Sequence, residues 1–179
     1  MCVKNFSLVF DSYLLKHFTI YNNSRLTDLI ISNILRHSSC VEFLDLFRCI
    51  NIHGDFTKLI DLLKLRPLKV LNVVHTQFTD ENVCTVLNAA SILSELWINH
   101  CSFITDNSVN CICDLKFLTT LKIESTIHGI SVDGLLRIVI HCNTLSNLDI
   151  SNRIILGGQQ FQKTNQIWNK PWISQFIWI

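Results

Sequence analysis

Three groups of cysteine and histidine residues have types and spacings that could do chemistry. They are His100-Cys101, His141-Cys142 and Cys111-x-Cys113. Imidazole and thiolate are the usual ligands of zinc, and a thiolate beside a histidine base can act as a nucleophile. A structural zinc site needs closely spaced cysteine pairs that converge on one point, whereas each of these groups has its own place in a sequence repeat. We therefore expect no metal site, no cofactor and no catalysis.

The repeat that positions these residues has a period of 25–27 residues. The segment from Leu93 to Asp106 shows it best: apolar residues at Leu93, Leu96 and Ile98 precede Cys101, and Ile104-Thr105-Asp106 follows. The first apolar positions of the six copies are Leu15, Val41, Leu68, Leu93, Leu118 and Leu145. The residues three and five places later are apolar in every copy. A fixed period of this length is typical of solenoid folds.

A second column supports this register. Eight residues after each first position stand Asn23, Cys49, Thr76, Cys101, Thr126 and Arg153. All except Arg153 are small polar or thiol side chains that can hydrogen-bond the backbone where a chain leaves a strand. Thr or Asp then begins a segment with apolar residues at helical spacing, such as Val83, Val86 and Leu87. Each copy therefore predicts one strand, one corner and one helix.

With this pattern, the chain resembles the cysteine-containing subclass of leucine-rich repeats, C-x-x-L-x-x-L-x-L-x-x-C-x-x-I-T-D. Cys142-Asn143-Thr144-Leu145 matches its opening. The subclass occurs in F-box/leucine-rich-repeat adaptors of ubiquitin ligases and in related mitotic-exit antagonists. The resemblance implies an α/β leucine-rich-repeat solenoid, or horseshoe, with a parallel concave sheet and one helix per repeat outside.

The repeats divide the chain into three parts. Residues 15–151 hold the six repeats, with expected helices near Asp28 to Arg36 and near Phe56 to Leu65. Residues 1–14 are expected to be an N-terminal cap or the remnant of an upstream repeat, because solenoid ends must be covered. Residues 152–179, rich in Gln, Asn and Trp, are either a C-terminal cap or a divergent tail that replaces further repeats.

Composition narrows the class of protein. The chain of 179 residues has 49% hydrophobic and 16% charged residues and a formal net charge of +1. The lysine and arginine residues are scattered and form no basic stripe that could bind a nucleic-acid backbone. No uncharged apolar run is long enough to cross a bilayer. We expect the eight cysteines to be small, buried, unbonded side chains in a reducing compartment. The expected location is cytoplasmic or nuclear.

The outward-facing positions of the strands predict where a partner binds. Side chains alternate across a strand, so the second, fourth and sixth residues after each first position face the concave surface. Aromatic and apolar side chains cluster there on repeats one to four, and a cationic or imidazole row follows in the next column. The predicted partner-binding residues are Tyr21, Phe43, Phe47, Arg48, Val70, Val74, His75, Trp97 and His100.

A contiguous apolar surface of this kind usually marks a protein-binding site. The alternatives are a cap, a neighbouring segment or a second copy covering it, or a local shift of the register. We expect a non-enzymatic interaction module. By resemblance it would be the substrate-recognition part of a cullin-type ubiquitin-ligase adaptor and would bind cullin-ligase components. The first alternative is a stand-alone scaffold or inhibitor without a ligase link, and the second is a metal-binding or Cys/His catalytic protein.

Overall fold

A computed structural model of the chain describes residues 15–52, 67–123 and 129–150. These residues form a six-stranded parallel sheet whose strands lie side by side in chain order. The strands are β1 (His17–Thr19), β2 (Phe43–Asp45), β3 (Val70–Asn72), β4 (Glu95–Trp97), β5 (Thr120–Lys122) and β6 (Asn147–Asp149). The order means that each repeat adds one strand beside the previous one, which is how a solenoid grows.

The helices of the described residues lie between consecutive strands. They are α1 (Asp28–Arg36), α2 (Asp80–Ala89), α3 (Val109–Cys113) and α4 (Val132–His141), with a 3-10 turn (Asp106–Ser108) before α3. The predicted bounds of α1 are confirmed. The helix predicted near residues 56–65, the N-terminal cap at 1–14 and the tail at 152–179 fall outside the described residues and stay predictions.

The core lies between the sheet and the helices. The middle residues of β2 to β5, for example Leu44 and Leu96, are at most 3% exposed. Two residues further on, Leu46 and Ile98 are fully buried. The helices bury the faces that their spacing predicted, as Ile138 and Val139 do in α4. The repeat register inferred from the sequence is therefore confirmed, since a shift by one residue would turn every strand inside out.

The helix starts are joined from one repeat to the next. Thr79 caps α2 and exchanges hydrogen bonds with Asn82. The Asp80 carboxylate accepts hydrogen bonds from the Thr105 amide at 2.7 Å and the Thr105 hydroxyl at 2.6 Å, in the following repeat. Asp106 does the same for Ser131, at 2.7 Å and 2.5 Å. The I-T-D motif thus supplies both a cap and a carboxylate that holds the next cap.

Candidate functional site

The sheet sets the predicted concave residues in rows. Phe43 on β2 lies beside Val70 on β3, and Trp97 on β4 occupies the row two residues further along. The residues between these rows, Leu44 and Leu71, point into the core. The concave positions on the strands are therefore where the sequence placed them. We call the six side chains Tyr21, Phe43, Phe47, Val70, Val74 and Trp97 the concave patch.

The concave patch is less exposed than the sequence suggested. Tyr21 is 62% exposed, whereas Phe43, Phe47 and Trp97 are half-buried. The prediction that Val74 lies on an open surface is wrong, because only 8% of it is exposed. Parallel strands lie about 4.8 Å apart, and on the inner side of a curved sheet the side chains of neighbouring strands lean together. A valine between larger rings is covered there.

One line of rings crosses the first four repeats where the strands end. The centroids of Tyr21 and Phe47 are 6.3 Å apart, and those of Phe47 and His75 are 5.7 Å apart, both edge to face. His75 and His100 stack at 4.1 Å with their rings nearly parallel, 5° apart. The Arg48 guanidinium lies 5.3 Å from the Phe47 ring centre. The predicted residues of this line are thus brought together, and each ring supports the next.

A second cluster lies at the middle of the sheet. The Phe43 and Trp97 rings meet edge to face at 6.5 Å, across β3. His17 lies 5.5 Å from Phe43 on the other side. The Lys122 ammonium sits 3.9 Å from the centre of the Trp97 ring, a cation–π contact. Lys122 and His17 extend the predicted site by one residue at each end, and both were overlooked because neither is apolar.

The corner residues have an unusual backbone. Asn22, Arg48, His75 and His100 have φ between 50° and 58°, in the left-handed region that non-glycine residues seldom adopt. They are the residues directly after the sixth position of each repeat, so the same turn recurs in four copies. The sequence analysis missed this. Asn and His are enriched in the left-handed region, and an Asn/His column was the signal that could have found it.

The corner thiols hold the turns. The Cys49 thiol donates to the Ile20 carbonyl at 3.5 Å, and the Cys101 thiol donates to the Val73 carbonyl at 3.1 Å, each in the preceding repeat. Burial raises the pKa of Cys101 to about 11 and also raises the pKa of Cys49. A thiol with so high a pKa is protonated at neutral pH and is a poor nucleophile. The structural role predicted for this column is confirmed at both cysteines.

A buried carboxyl lies within the patch. Asp45 is 3% exposed, and its carboxylate accepts a hydrogen bond from the Phe47 amide at 3.0 Å. Burial raises the pKa of Asp45, and the hydrogen bonds from Phe47, Asn72 and Tyr21 oppose this only in part. Alternation along β2 predicts Asp45 on the concave surface, but neighbouring side chains cover it there. The carboxyl instead positions the Tyr21 hydroxyl and the turn that carries Phe47.

Charged side chains line the edge where the strands begin. The Glu42 carboxylate lies 2.7 Å from the Lys69 ammonium and 3.3 Å from the Lys16 ammonium. These contacts, with the Lys69 hydrogen bond the strongest, lower the pKa of Glu42. Glu42 is thus neutralised by two lysines from the neighbouring repeats. Exposed ion pairs of this kind add little stability, but they leave a net positive rim beside the patch.

The three histidine and cysteine groups do not converge on one point among the described residues. The His100 ring stacks on His75, whereas the adjacent Cys101 thiol points to a backbone carbonyl. The His141 imidazole bonds the Arg137 carbonyl at 2.9 Å. Over residues 15–52, 67–123 and 129–150, no group of three or more metal-ligating side chains comes together. Two of the candidate groups do meet in a pair, because the sulfur atoms of Cys113 and Cys142 are 3.2 Å apart.

The cysteine prediction is wrong on two points, because two cysteines are bonded to each other and because Cys40 and Cys113 are only half-buried. Cys84 of α2 and Cys111 of α3 form a disulfide, whereas all eight cysteines were expected to be unbonded. The two residues are 27 positions apart, which is about one repeat, so they face each other across adjacent helices. Three other cysteines are buried as expected: Cys49, Cys101 and Cys142.

Comparisons with known proteins support the fold. No protein-family model and no curated protein matches the chain. The tropomodulin C-terminal domain of Caenorhabditis elegans superposes with a TM-score of 0.56 and 19% identity, over 75% of this chain and 86% of its own. The chain has a leucine-rich-repeat-type fold.

Two further solved structures are similar. The actin-binding site 2 domain of leiomodin-1 superposes with a TM-score of 0.53 and 13% identity, over 92% of this chain and 86% of its own. An internalin from Listeria monocytogenes gives a TM-score of 0.48 and 22% identity, over 77% of this chain and 42% of its own. At these identities the likeness concerns the fold alone. No helix in the described ranges is long and apolar enough to cross a membrane.

Proposed function

We propose that this chain is a non-enzymatic protein-interaction module that binds a protein partner on its concave face. The observation that carries the proposal is the unbroken line of rings from Tyr21 through Phe47 and His75 to His100. These rings lie in the turns directly after the strands of the parallel sheet, and Tyr21 is largely exposed. Pre-positioned aromatic side chains lose little conformational entropy on binding, and they are the usual anchors of protein interfaces.

Trp97 is the second anchor. Its indole Nε1 is buried and finds no hydrogen-bond acceptor among the described residues. A buried donor without an acceptor costs about 1–3 kcal/mol, so this arrangement does not serve stability alone. The Lys122 ammonium, which covers the ring, can move aside as a flexible side chain. We expect the partner to offer a carbonyl oxygen to this N–H.

The charges favour a partner segment that combines an apolar anchor with an acidic side chain. Arg48 is exposed over the Phe47 ring, and Lys122 lies over Trp97. Of the carboxyls on the same face, Asp45 is buried and has a raised pKa, whereas Glu95 beside Val70 and Asp149 beside Lys122 are half-buried. An acidic side chain of the partner would meet two cations there. Such pairing contributes mainly to orientation and association rate.

The role in the cell is the finer part of the proposal. The cysteine-type repeats support a substrate-recognition role in a cullin-type ubiquitin-ligase adaptor, in the cytoplasm or nucleus. The same repeats would also serve a stand-alone scaffold or inhibitor. The Cys84–Cys111 bond weighs against a reducing compartment, where thiols are normally kept reduced. Actin is a further partner to test, because the similar leiomodin domain is described as an actin-binding site.

The test is an affinity capture from cell lysate that compares the native chain with a Phe47→Asp, Trp97→Asp variant. The matched control is Phe103→Asp, Phe117→Asp, which places the same charges at rings that are 57% and 58% exposed outside the patch. We expect the partner to be lost from the patch variant only. Loss of two hot-spot side chains should weaken binding at least about thirty-fold in purified components.

The outcomes separate the hypotheses. If cullin-ligase components bind both variants and another protein depends on the patch, the adaptor role is supported. If no cullin-ligase component is captured but the patch-dependent protein is, the stand-alone scaffold is favoured. Circular dichroism must show that the variants fold, and Tyr21→Asp is the milder substitution if they do not. A folded patch variant that retains every partner would overturn the concave site.

A further inference from the structure

The short helix α3 stands between two cysteine pairs. Near its middle, Cys111 is bonded to Cys84 of the preceding helix. At its end, Cys113 lies against Cys142, the residue that caps α4 in the following repeat. The sulfur atoms of Cys113 and Cys142 are 3.2 Å apart. The helix is therefore linked covalently to one neighbour and lies in sulfur-to-sulfur contact with the other.

The hydrogen bonds around Cys113 and Cys142 hold the two sulfur atoms close together. The Cys142 thiol donates to the Cys113 sulfur, and the Cys113 thiol points to the Arg137 carbonyl at 3.9 Å. The Cys142 amide bonds the Ile138 carbonyl, which fixes the end of α4. Because a disulfide has sulfur atoms about 2.05 Å apart, small rotations of two side chains would close the remaining gap.

The two sulfur atoms differ in access. Cys113 is half-buried, whereas Cys142 is 2% exposed. A soluble oxidant can therefore reach Cys113 first, while Cys142 is shielded from it and lies 3.2 Å from the Cys113 sulfur. This is the arrangement of an attacking and a resolving thiol.

We propose that Cys113 and Cys142 form a second disulfide when the chain meets a low-molecular-weight disulfide such as oxidised glutathione. The Cys113 thiolate attacks one glutathione sulfur, a mixed disulfide forms, and the first glutathione leaves as a thiolate. The Cys142 thiolate then attacks the Cys113 sulfur and releases the second glutathione. Two cysteine thiols are oxidised to one disulfide, and one glutathione disulfide is reduced to two thiols.

The bond would complete a covalent series through α2, α3 and α4. Cys113 and Cys142 are 29 residues apart, close to the separation of the first pair. Closing a loop of this length stabilises the folded state mainly by restricting the unfolded chain. We expect the melting temperature of the oxidised chain to rise by roughly 10 °C over that of the chain with the second pair reduced.

The experiment uses the full chain, fully reduced, desalted and incubated with oxidised glutathione before the remaining thiols are blocked. Cleavage before aspartate places Cys111 and Cys113 on one peptide, 106–113, so a link from this peptide does not show which of the two cysteines is bonded. The decisive sample is therefore the Cys84→Ser, Cys111→Ser variant, in which Cys113 is the one cysteine of that peptide. There we expect peptide 106–113 to be linked to peptide 133–148, which carries Cys142. In Cys142→Ser, the glutathione should remain attached to Cys113.

Cys49 is the internal control, because burial raises its pKa and it should stay unmodified. The native chain, mapped by peptide fragmentation, covers the case in which the double variant fails to fold. The proposal is overturned if Cys84–Cys111 forms in the native chain but no Cys113–Cys142 link does. It is also overturned if Cys142 pairs with another cysteine in a folded sample, or if Cys142→Ser leaves no glutathione on Cys113.

Discussion

Asp45 and Asn72 occupy the same register of neighbouring strands. Each accepts a hydrogen bond from the backbone amide two residues later, at 3.0 Å. The side-chain amide of Asn72 does this without a charge, whereas the ionised form of Asp45 buries a charge. Burial raises the pKa of Asp45, so the carboxylate form destabilises the folded state. Asn72 shows that this position of the repeat accepts an uncharged side chain.

Asp45→Asn should therefore stabilise the chain at neutral pH, by roughly 1 kcal/mol or 2–4 °C in melting temperature. A carboxyl with a raised folded-state pKa favours folding when protonated, and that contribution is lost as pH rises from about 4 through the folded-state value. The advantage of the variant should thus shrink on acidification toward pH 4. Thermal melts from pH 4 to 7 test this, with exposed Asp114→Asn as control. A variant less stable than the native chain at pH 7 contradicts it.

At the level of single residues, the sequence predicted on which face of the sheet a side chain lies better than it predicted how exposed that side chain is. Alternation along a strand fixed which way Phe43 and Trp97 point. Whether Val74 is open or Asp45 is covered depends on how neighbouring strands crowd the inner side of the sheet, and no local pattern encodes that. The left-handed turn at Arg48 was hidden because arginine gives no preference for it.

At the scale of the elements, the starts of α3 and α4 are each stabilised by a carboxylate of the repeat before. Asp80 is the first residue of α2, yet its carboxylate bonds the cap of the next repeat, including Thr105, Asn107 and Ser108. Burial raises the pKa of Asp80, but the hydrogen bonds from Ser108, Thr105 and Asn107 outweigh it and the net pKa is lowered. The ionised form is therefore the one that stabilises the fold.

Asp80→Asn should destabilise the chain by about 1–3 kcal/mol, because charge-assisted bonds are lost. A lowered folded-state pKa gives stability that is present above the unfolded pKa of about 4 and is lost as pH falls through the folded-state value. The native chain should lose this advantage over the variant in that acidic range. Glu81→Gln, an exposed change in the same helical turn, controls for the helix dipole. Equal effects at both sites would refute the inter-repeat bonds. Urea unfolding at pH 7 and pH 3 gives the measurement.

A substitution at Gly134 in α4 gives a second test of the inter-repeat bonds, because Gly134 packs closely against the Asp106 carboxylate. A β-carbon there would meet the Asp106 carboxylate well inside van der Waals contact and the Ile130 side chain at 2.8 Å. The carboxylate cannot easily give way, because it holds the amide and hydroxyl of Ser131.

In an ordinary helix, glycine to alanine stabilises by about 1 kcal/mol. Here Gly134→Ala should destabilise by about 1–3 kcal/mol, since the bonds to Ser131 must be displaced. Denaturant unfolding measures the change. The double variant Asp106→Ala, Gly134→Ala provides the control, because removing the carboxylate should make alanine at 134 favourable again. A stabilising single substitution would contradict the close approach.

For the whole molecule, the period of the sequence predicted the architecture because each repeat buries the same apolar positions. Leu44, Leu71, Leu96 and Leu121 all lie in the core at the expected register. The disulfide between Cys84 and Cys111 was not predicted, although their spacing of about one repeat places both on facing helices. Interpreting cysteines only as small apolar residues concealed that pairing.

The Asp80 and Asp106 contacts give the solenoid a direction. Each carboxylate belongs to one repeat and completes the helix start of the repeat that follows it. These two helix starts can thus form fully once the repeat on their amino-terminal side is in place. The repeat on their carboxy-terminal side supplies no such carboxylate at these sites. When the chain grows from the amino-terminal side, the order in which a ribosome releases it, the carboxylates that complete the starts of α3 and α4 are already in place before those helices form.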